Sequence, residues 1–391
     1  MSRAFIIGGK RTPVGNFMGI LHPFKGYELS ALALIDTIKK FNLNHHHIEK
    51  IILGNAITVG QDQNPARQVA LLSKTNKAVG YLLNNGSASG LIAINRARID
   101  IIANQADFII AGGFESLSNV PQIIKNSRPG TKYGDTECQD PISVDVLINP
   151  KLKVVQGFIA EQIAKHNKID KDLQDEYAKL SYQRATDAYN MKKLEFEMSS
   201  IKLKPNDPPL ADEIYQKFNP KQLEFSKPIY VKNTKKGSIT NLNSSRFADG
   251  ACVLAIASEG YCHRANIKPL AEILSCVTIA GDSIAIIDTI IECVNQAVME
   301  ADITNKMIGY WEIHEDYAST VLLFMKKLDI HYNKVNVHGG SIAIGNPFGM
   351  TSSRLILSMV NILRTYKETY GCVIIPHEDG SVSAAVVKNR S

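Results

Sequence analysis

Two glycine-rich loops are the segments of this sequence best suited to chemistry. Residues 84–90 read Asn-Asn-Gly-Ser-Ala-Ser-Gly, and residues 339–349 read Gly-Gly-Ser-Ile-Ala-Ile-Gly-Asn-Pro-Phe-Gly. Each loop precedes a segment with helical periodicity, so each should aim backbone N–H groups and the positive end of a helix dipole at a ligand. The first loop carries Ser87, whose hydroxyl is a poor nucleophile at neutral pH unless a base removes its proton. The two loops therefore predict a ligand site built on two helix N-termini.

The elements that must position these loops alternate between strand and helix. Short apolar runs near residues 5–8, 50–54 and 106–111 are typical of buried strands, and segments with helical periodicity lie between them. This alternation predicts a parallel sheet with helices on its faces. After residue 248 the same rhythm returns, and a strand through residue 375 leads into Pro-His-Glu-Asp-Gly. The repeat predicts a pseudo-duplicated α/β fold.

The middle of the chain follows a different pattern. Between residues 120 and 245 the sequence contains several prolines and one strongly charged helical segment, residues 170–192. We interpret this stretch as an inserted loop domain that covers the sheet.

Composition places the chain among ordinary globular proteins. Of 391 residues, 45% are hydrophobic and 21% are charged, which excludes a disordered tail and a membrane protein. The net charge of +6 favours anionic ligands in general. Six widely spaced cysteines with no CxxC pair indicate reduced thiols, and from the first residues we expect neither a signal peptide nor a transit peptide. We therefore expect a soluble, cytoplasmic protein.

Metal and nucleic-acid sites are not indicated. Three consecutive histidines at 45–47 cannot all face one ion, and no carboxylate or cysteine stands at ligand spacing. The basic run at 231–236 lacks interleaved aromatic residues, so we expect no nucleic-acid partner there. It could contact a phosphate group of a ligand, although a solvated surface is the simpler interpretation.

Several longer motifs then occur in a fixed order. They are Arg11-Thr12-Pro13 with Gly15, Phe17, Gly19 and Leu21; Gly54-Asn55; Asn64-Pro65-Ala66-Arg67-Gln68; Ala111-Gly112-Gly113 with Glu115, Ser116 and Ser118; and Gly237-Ser238-Ile239-Thr240 with Asn243, Ser245 and Asp249-Gly250-Ala251. With the two glycine-rich loops, these motifs resemble the thiolase family over almost the whole chain.

The resemblance implies an architecture and a ligand. It implies an α/β, duplicated five-layered thiolase fold of two βαβαβαββ halves, at 1–120 and 246–391, with a loop domain at 121–245. It also implies coenzyme A or an acyl-CoA as substrate or ligand, no other cofactor, and a homodimer or dimer of dimers that pairs through a strand of the N-terminal half. Ser245 and Gly349 match positions near the pantetheine arm, although turn geometry alone could explain both residues.

Thiolases form and break a carbon–carbon bond with a nucleophilic Cys, an activating His, a second Cys and a water-holding Asn. The resemblance implies that this sequence differs at all four positions, which it fills with Ser87, Asn346, Pro376 and His314. An amide cannot take a proton as an imidazole does, and an unperturbed hydroxyl is not ionised as a thiol partly is. We therefore expect impaired or lost thiolase activity.

Three functions stay open on this reasoning. The first is an acetyl-CoA acetyltransferase-like protein of acyl-CoA metabolism whose catalytic set has decayed. The second is an acyl-CoA acyltransferase or hydrolase in which Ser87 pairs with His314, Asn346 supplies an oxyanion donor and His377 replaces the second Cys as acid or base. The third is a non-catalytic subunit or acyl-CoA-binding partner of a thiolase-like enzyme. Against the second, Ser87 could be a small residue that suits a turn, and His377 a plain loop histidine.

Overall fold

A computed structural model describes residues 3–202, 206–231 and 237–391. Part of the basic run at 231–236, residues 232–236, lies outside the described residues. In chain order the ten strands and twelve helices of the described residues are β1 Ala4–Arg11, β2 Gly15–Asn16, α1 Gly26–Lys40, β3 Lys50–Gly54, α2 Pro65–Leu72, β4 Val79–Leu83, α3 Ser89–Ile102, β5 Phe108–Ser116, α4 Gln156–His166, α5 Lys171–Asn190, α6 Glu213–Gln216, α7 Lys221–Phe225, β6 Ala248–Ser258, α8 Glu259–Arg264, β7 Ala271–Ile279, α9 Ile286–Glu300, β8 Ile308–Ile313, α10 Ala318–Leu328, α11 Ser341–Ile344, α12 Phe348–Tyr366, β9 Tyr370–Pro376 and β10 Val382–Asn389.

The strands form one continuous path in the order β4-β3-β5-β6-β1-β7-β10-β9-β8, with β2 paired to β6. The expectation of a parallel sheet is only partly right. Pairs β3–β4, β3–β5 and β8–β9 are parallel, whereas the pairs from β5 through β6, β1, β7 and β10 to β9 are antiparallel. The short connection from β9 to β10 leaves room for a hairpin but for no crossover helix, so those strands must run in opposite directions.

Helices cover both faces of this path and give five layers. Helices α1 and α2 pack on the outer face of the N-terminal strands, and α9 packs on the outer face of the C-terminal ones. Between the two groups of strands lie α3 and α12, which also pack against each other. Because strands cover α12 on both sides, the helix is buried from Phe348 to Leu363. The duplicated α/β fold expected from the sequence is therefore present.

The central layer explains why both glycine-rich loops come together. At Gly113, an added Cβ would lie 2.0 Å from the carbonyl oxygen of Gly349, so a side chain cannot fit between β5 and the start of α12. The N–H of Leu91 in α3 donates to Ser352 Oγ in α12 at 2.9 Å. The N-termini of α3 and α12 are therefore neighbours, as the duplicated pattern predicts.

Several elements were missed in the sequence, among them β4 and α4, and one strand lies in an unexpected place. Strand β4 and helix α4 were not predicted, since β4 is a short run that begins inside a polar segment and α4 lies in the stretch that we interpreted as loop. Strand β6 pairs with β5 and β1, although its residues begin beyond the boundary at 245. The domain boundaries at 120 and 245 stay a prediction. In the described part of the chain, no helix is both long enough and apolar enough to cross a bilayer.

Candidate functional site

The Ser87 loop joins β4 to the first turn of α3. Its fold depends on Gly86, which has a φ of +53°, a value that favours glycine. Ser89 Oγ accepts a hydrogen bond from the N–H of Asn85 at 2.8 Å and donates to the carbonyl of Gly86 at 2.6 Å. These contacts hold Ser87, which is fully buried, at the N-terminus of α3.

Glu378 accepts hydrogen bonds from both polar groups of Ser87, the hydroxyl and the backbone N–H. The Ser87 hydroxyl donates to Glu378 Oε1, and the Ser87 N–H donates to Oε2 at 3.2 Å. An added Cβ on Gly86 would meet Glu378 Oε2 at 2.2 Å, so the carboxylate also needs a glycine there. A negative group at the first turn of α3 is favoured by the helix dipole. Sequence reasoning missed Glu378, because its proximity to Ser87 depends on a contact across 291 residues of chain.

The surroundings of Glu378 disfavour its charged form. Burial is the main cause, and the nearby negative charge of Asp316 adds to it, so that the pKa of Glu378 rises to about 7. Hydrogen bonds from Ser87 act in the opposite direction. A carboxyl group with this pKa changes its charge near neutral pH.

His314 lies at the end of β8 and is fully buried. Its Nδ1 lies 2.9 Å from Ser341 Oγ, and its Nε2 lies 2.7 Å from Asp316 Oδ1. Both ring nitrogens thus face other groups, while the Ser87 hydroxyl is engaged with Glu378. The expected Ser87–His314 hydrogen bond is therefore not formed, because a carboxylate that the sequence reasoning overlooked competes for the serine.

Asp316 connects the remaining polar groups. Asn346 donates from Nδ2 to Asp316 Oδ1 at 3.1 Å, and Ser245 donates from Oγ to the same oxygen at 3.3 Å. Thr351 in turn donates to Asn346 Oδ1 at 2.7 Å. The structure thus brings His314, Asn346 and Ser245 together around one carboxylate. Asp316 is the second residue of this site that sequence reasoning did not single out.

His377 lines the same site from the turn after β9. Its Nε2 lies 2.9 Å from Ser383 Oγ, and the side chain is almost fully buried. The pKa of His377 is lowered to about 4, mainly by burial and to a smaller extent by the proximity of His314, so the imidazole is neutral at pH 7. Asp379 opposes this shift.

A cavity of about 30 Å³ is bounded by these polar groups. Its walls include His314, Asp316 and His377 on one side and Gln156 and Ile163 of α4 on the other. This volume matches about one water molecule. Beside His314, Asp316 and His377, which we call the polar centre, the cavity therefore has room for about one water molecule.

Gly349 is buried against Gly54 and Phe114 in the first turn of α12, and its N–H donates to Glu115 Oε2 at 3.0 Å. These contacts give Gly349 a packing role, and its place near a pantetheine arm stays a prediction. Ser245, in contrast, is only partly buried and touches the site through Asp316.

The chemistry available here is that of carboxyl, imidazole, amide and hydroxyl groups. Cys372 lies in β9 near the site in sequence, but it is fully buried and burial raises the pKa of its thiol well above the ordinary value. Among the residues that the structure describes, no cluster of His, Cys, Asp or Glu is arranged to hold a metal ion. The site can therefore exchange protons through Glu378 near neutral pH, but it presents no reactive thiolate.

Family models and known proteins match nearly the whole chain. The model described as "Thiolase, N-terminal domain" matches residues 4–260, and "Thiolase, C-terminal domain" matches residues 267–389. The mitochondrial acetyl-CoA acetyltransferase of Mus musculus is 31% identical over 99% of this chain and 91% of its own length. The cytosolic acetyl-CoA acetyltransferase ERG10 of Gibberella zeae is 30% identical over 98% of both chains.

Solved structures agree with these matches. The human mitochondrial 3-ketoacyl-CoA thiolase superposes with a TM-score of 0.94 at 28% identity, covering 100% of this chain and 99% of its own. The Acat5 thiolase of Ascaris suum in complex with coenzyme A gives a TM-score of 0.93 at 26% identity, covering 99% of this chain and 100% of its own.

Proposed function

The chain belongs to the thiolase family, and from this membership we propose that it is an acetyl-CoA acetyltransferase-like protein that binds CoA thioesters with impaired or lost thiolase activity. The observation that carries the proposal is the contact between Glu378 and Ser87. The Glu378 carboxylate accepts hydrogen bonds from both the hydroxyl and the N–H of Ser87. Ser87 lies in the loop where the family resemblance implies the nucleophile. A substrate carbonyl would have to displace this carboxylate before it could use either group.

The residues around Ser87 support the loss of ordinary chemistry. Position 346 is an amide that already donates to Asp316, and position 376 is a proline that ends β9. Neither side chain can accept or deliver a proton in place of a His or a Cys. His314 offers acid and base capacity, but its ring nitrogens face Ser341 and Asp316.

Ligand binding and acylation test the proposal together. We expect calorimetric titration with CoA to give a saturable heat, and intact-protein mass spectrometry after incubation with acetyl-CoA to give no acetyl adduct. Ser87→Cys is the matched control, because it places a thiol on the same loop next to Glu378, and we expect this variant to gain an adduct. Absence of CoA binding would contradict the proposed ligand.

The second function, Ser87-dependent acyl transfer or hydrolysis, is favoured by one contact. Glu378 can accept the proton of Ser87 Oγ, which gives the serine a base other than the His314 that we first expected. An acetyl adduct on the wild-type protein that disappears in Ser87→Ala would select this function over the first. The third function, a subunit that supports a thiolase-like partner, remains a prediction.

We also propose that two copies pair through the edge strand β4. In the described part of the chain, β3 is the only strand that pairs with β4, and Val79 and Tyr81 are 53% and 48% exposed. An open strand edge with apolar side chains favours pairing with another strand.

Light scattering coupled to size exclusion should therefore give twice the chain mass, or four times for a dimer of dimers. The double variant Val79→Asp/Tyr81→Asp should shift the protein to monomer, because it places like charges across the contact. Ile35→Asp on α1, at a similarly exposed apolar residue, should keep the wild-type mass. A wild-type monomer at micromolar concentration would refute the pairing.

A further inference from the structure

The side chain of Tyr230 covers the start of α4. Tyr230 is half-buried and belongs to residues 226–231, a segment that we call the strap. Its ring lies on Gly157, the second residue of α4, where an added Cβ would stand 2.0 Å from Tyr230 Cζ and 2.2 Å from Cε2. The ring therefore occupies the space that a side chain at position 157 would need.

The backbone of α4 does not itself require a glycine at position 157. Gly157 is helical and is absent from the glycines with a positive φ. Alanine is more favourable than glycine in a helix, because glycine loses more backbone freedom on folding. The feature that does require a glycine here is the close approach of the Tyr230 ring.

Tyr230 also lies against the wall of the cavity at the polar centre. Its ring meets the ring of Tyr317 edge-on, with centroids 6.3 Å apart and an interplanar angle of 81°. Tyr317 lines the cavity, and so does Gln156, the neighbour of Gly157. The pKa of Tyr230 is raised, mainly by burial and to a smaller extent by the negative charge of Asp316, so the phenol is neutral at pH 7. An uncharged ring thus packs behind two adjoining parts of the cavity wall.

The strap has room to move away from α4. Its backbone bonds to the neighbouring segment through the N–H of Ile229, which donates to the carbonyl of Ile239 at 3.0 Å. The side chains of Lys227 and Ile229 are exposed. A surface depression of about 880 Å³, bounded partly by Lys227 and Pro228, lies between the strap and α5. An outward movement of the strap would therefore enter open space and not the packed core.

We propose that Tyr230 is a gate, whose ring must leave Gly157 and Tyr317 before a CoA thioester reaches the polar centre. The inference rests on the proposed function, namely that the protein binds CoA thioesters, and adds the residue that controls access. A ligand that binds only an open state has an apparent affinity lowered by the fraction of molecules in that state. Minor conformers are commonly populated at about 0.1–10%. The closed gate should therefore weaken binding at least about tenfold.

Calorimetric titration with CoA compares the wild-type protein with two variants that open the gate in different ways. Tyr230→Ala removes the ring and should bind CoA at least about tenfold tighter. Gly157→Ala adds a methyl group that displaces the ring, and its affinity should rise in the same direction. Ile229→Ala, at a 43% exposed apolar residue of the strap, is the matched control and should bind as the wild-type protein does.

Chemical modification measures access to the polar centre without any use of CoA. Diethyl pyrocarbonate acylates accessible neutral imidazoles, and peptide mass spectrometry reports the rate at His377, which is neutral at pH 7. This rate should rise at least about tenfold in Tyr230→Ala and stay at the wild-type value in Ile229→Ala. His338, which is 1% exposed and lies beside Tyr366, should stay unmodified in every folded variant. If it reacts in Tyr230→Ala, that variant has unfolded and Gly157→Ala decides.

The outcomes separate the gate from the function on which it rests. Unchanged CoA affinity and an unchanged rate at His377 in both Tyr230→Ala and Gly157→Ala would refute the gate and leave the proposed function standing. Weaker CoA binding by Tyr230→Ala would show that the ring holds the ligand instead of excluding it, and would also refute the gate. If no protein in the series binds CoA, the proposed function fails, whereas the modification rates still decide whether Tyr230 controls access.

Discussion

Acetoacetyl-CoA and CoA incubated with the wild-type protein are expected to be cleaved at least about 10⁴-fold more slowly than by an active thiolase assayed in parallel. The loss of a single catalytic acid or base group commonly lowers the rate about 10²- to 10⁴-fold. On the proposed function, this chain lacks a thiol nucleophile, its imidazole and a second thiol together. Such losses are not additive, so we expect about the cost of the largest single loss and not the product of three. The disappearance of acetoacetyl-CoA, followed over hours at high protein concentration, measures it.

The variant Ser87→Cys separates the effect of the nucleophile on turnover from the effect of the other site residues. It should accept an acetyl group but should turn over only slowly, because Asn346 and Pro376 still cannot move a proton. Turnover by the wild-type protein within about tenfold of an active thiolase would contradict the proposal. Restoration of full turnover by Ser87→Cys alone would show that Glu378, His314 or His377 supplies the acid and base chemistry.

The fold could be predicted from local patterns because those patterns are numerous and repeated. The strand and helix alternation identified β1, β3, α3, α9 and β9 near their observed positions. Sheet direction was harder to predict, since it depends on which strands become neighbours. Strand β6 follows the long middle segment and inserts between β5 and β1, where it runs antiparallel to both.

The candidate site was less predictable, because its decisive contacts join distant parts of the chain. Sequence reasoning singled out Ser87 and His314 and paired them with each other. In the structure each has a carboxylate partner instead, Glu378 for the serine and Asp316 for the histidine. Both carboxylates stand one or two residues from positions already under consideration, so acidic residues next to the candidate site residues were the available signal.

Replacing Glu378 by Gln is expected to stabilise the protein at pH 8 and to leave its stability almost unchanged at pH 4.5. The folded-state pKa of Glu378, about 7, lies above the ordinary value of 4.5. A raised pKa means that the neutral form is favoured in the folded state, so its stabilising contribution is complete below pH 4.5 and is lost as pH rises through 7. Gln stays neutral throughout and avoids that loss.

The expected stability difference between Glu378→Gln and the wild-type protein follows from the raised pKa of Glu378. The rise of the Glu378 pKa from 4.5 to about 7 corresponds to on the order of 3 kcal/mol of stability, since a tenfold change in the protonation equilibrium is worth about 1.4 kcal/mol. Urea unfolding of both proteins from pH 4.5 to 8 measures the difference, in which the buried carboxyls of Glu115 and Glu312 cancel because both proteins retain them. Asp316, whose negative charge contributes to the raised pKa of Glu378, is present in both proteins. A difference that does not vary with pH would contradict the expectation, because it would mean that folding does not change the pKa of Glu378.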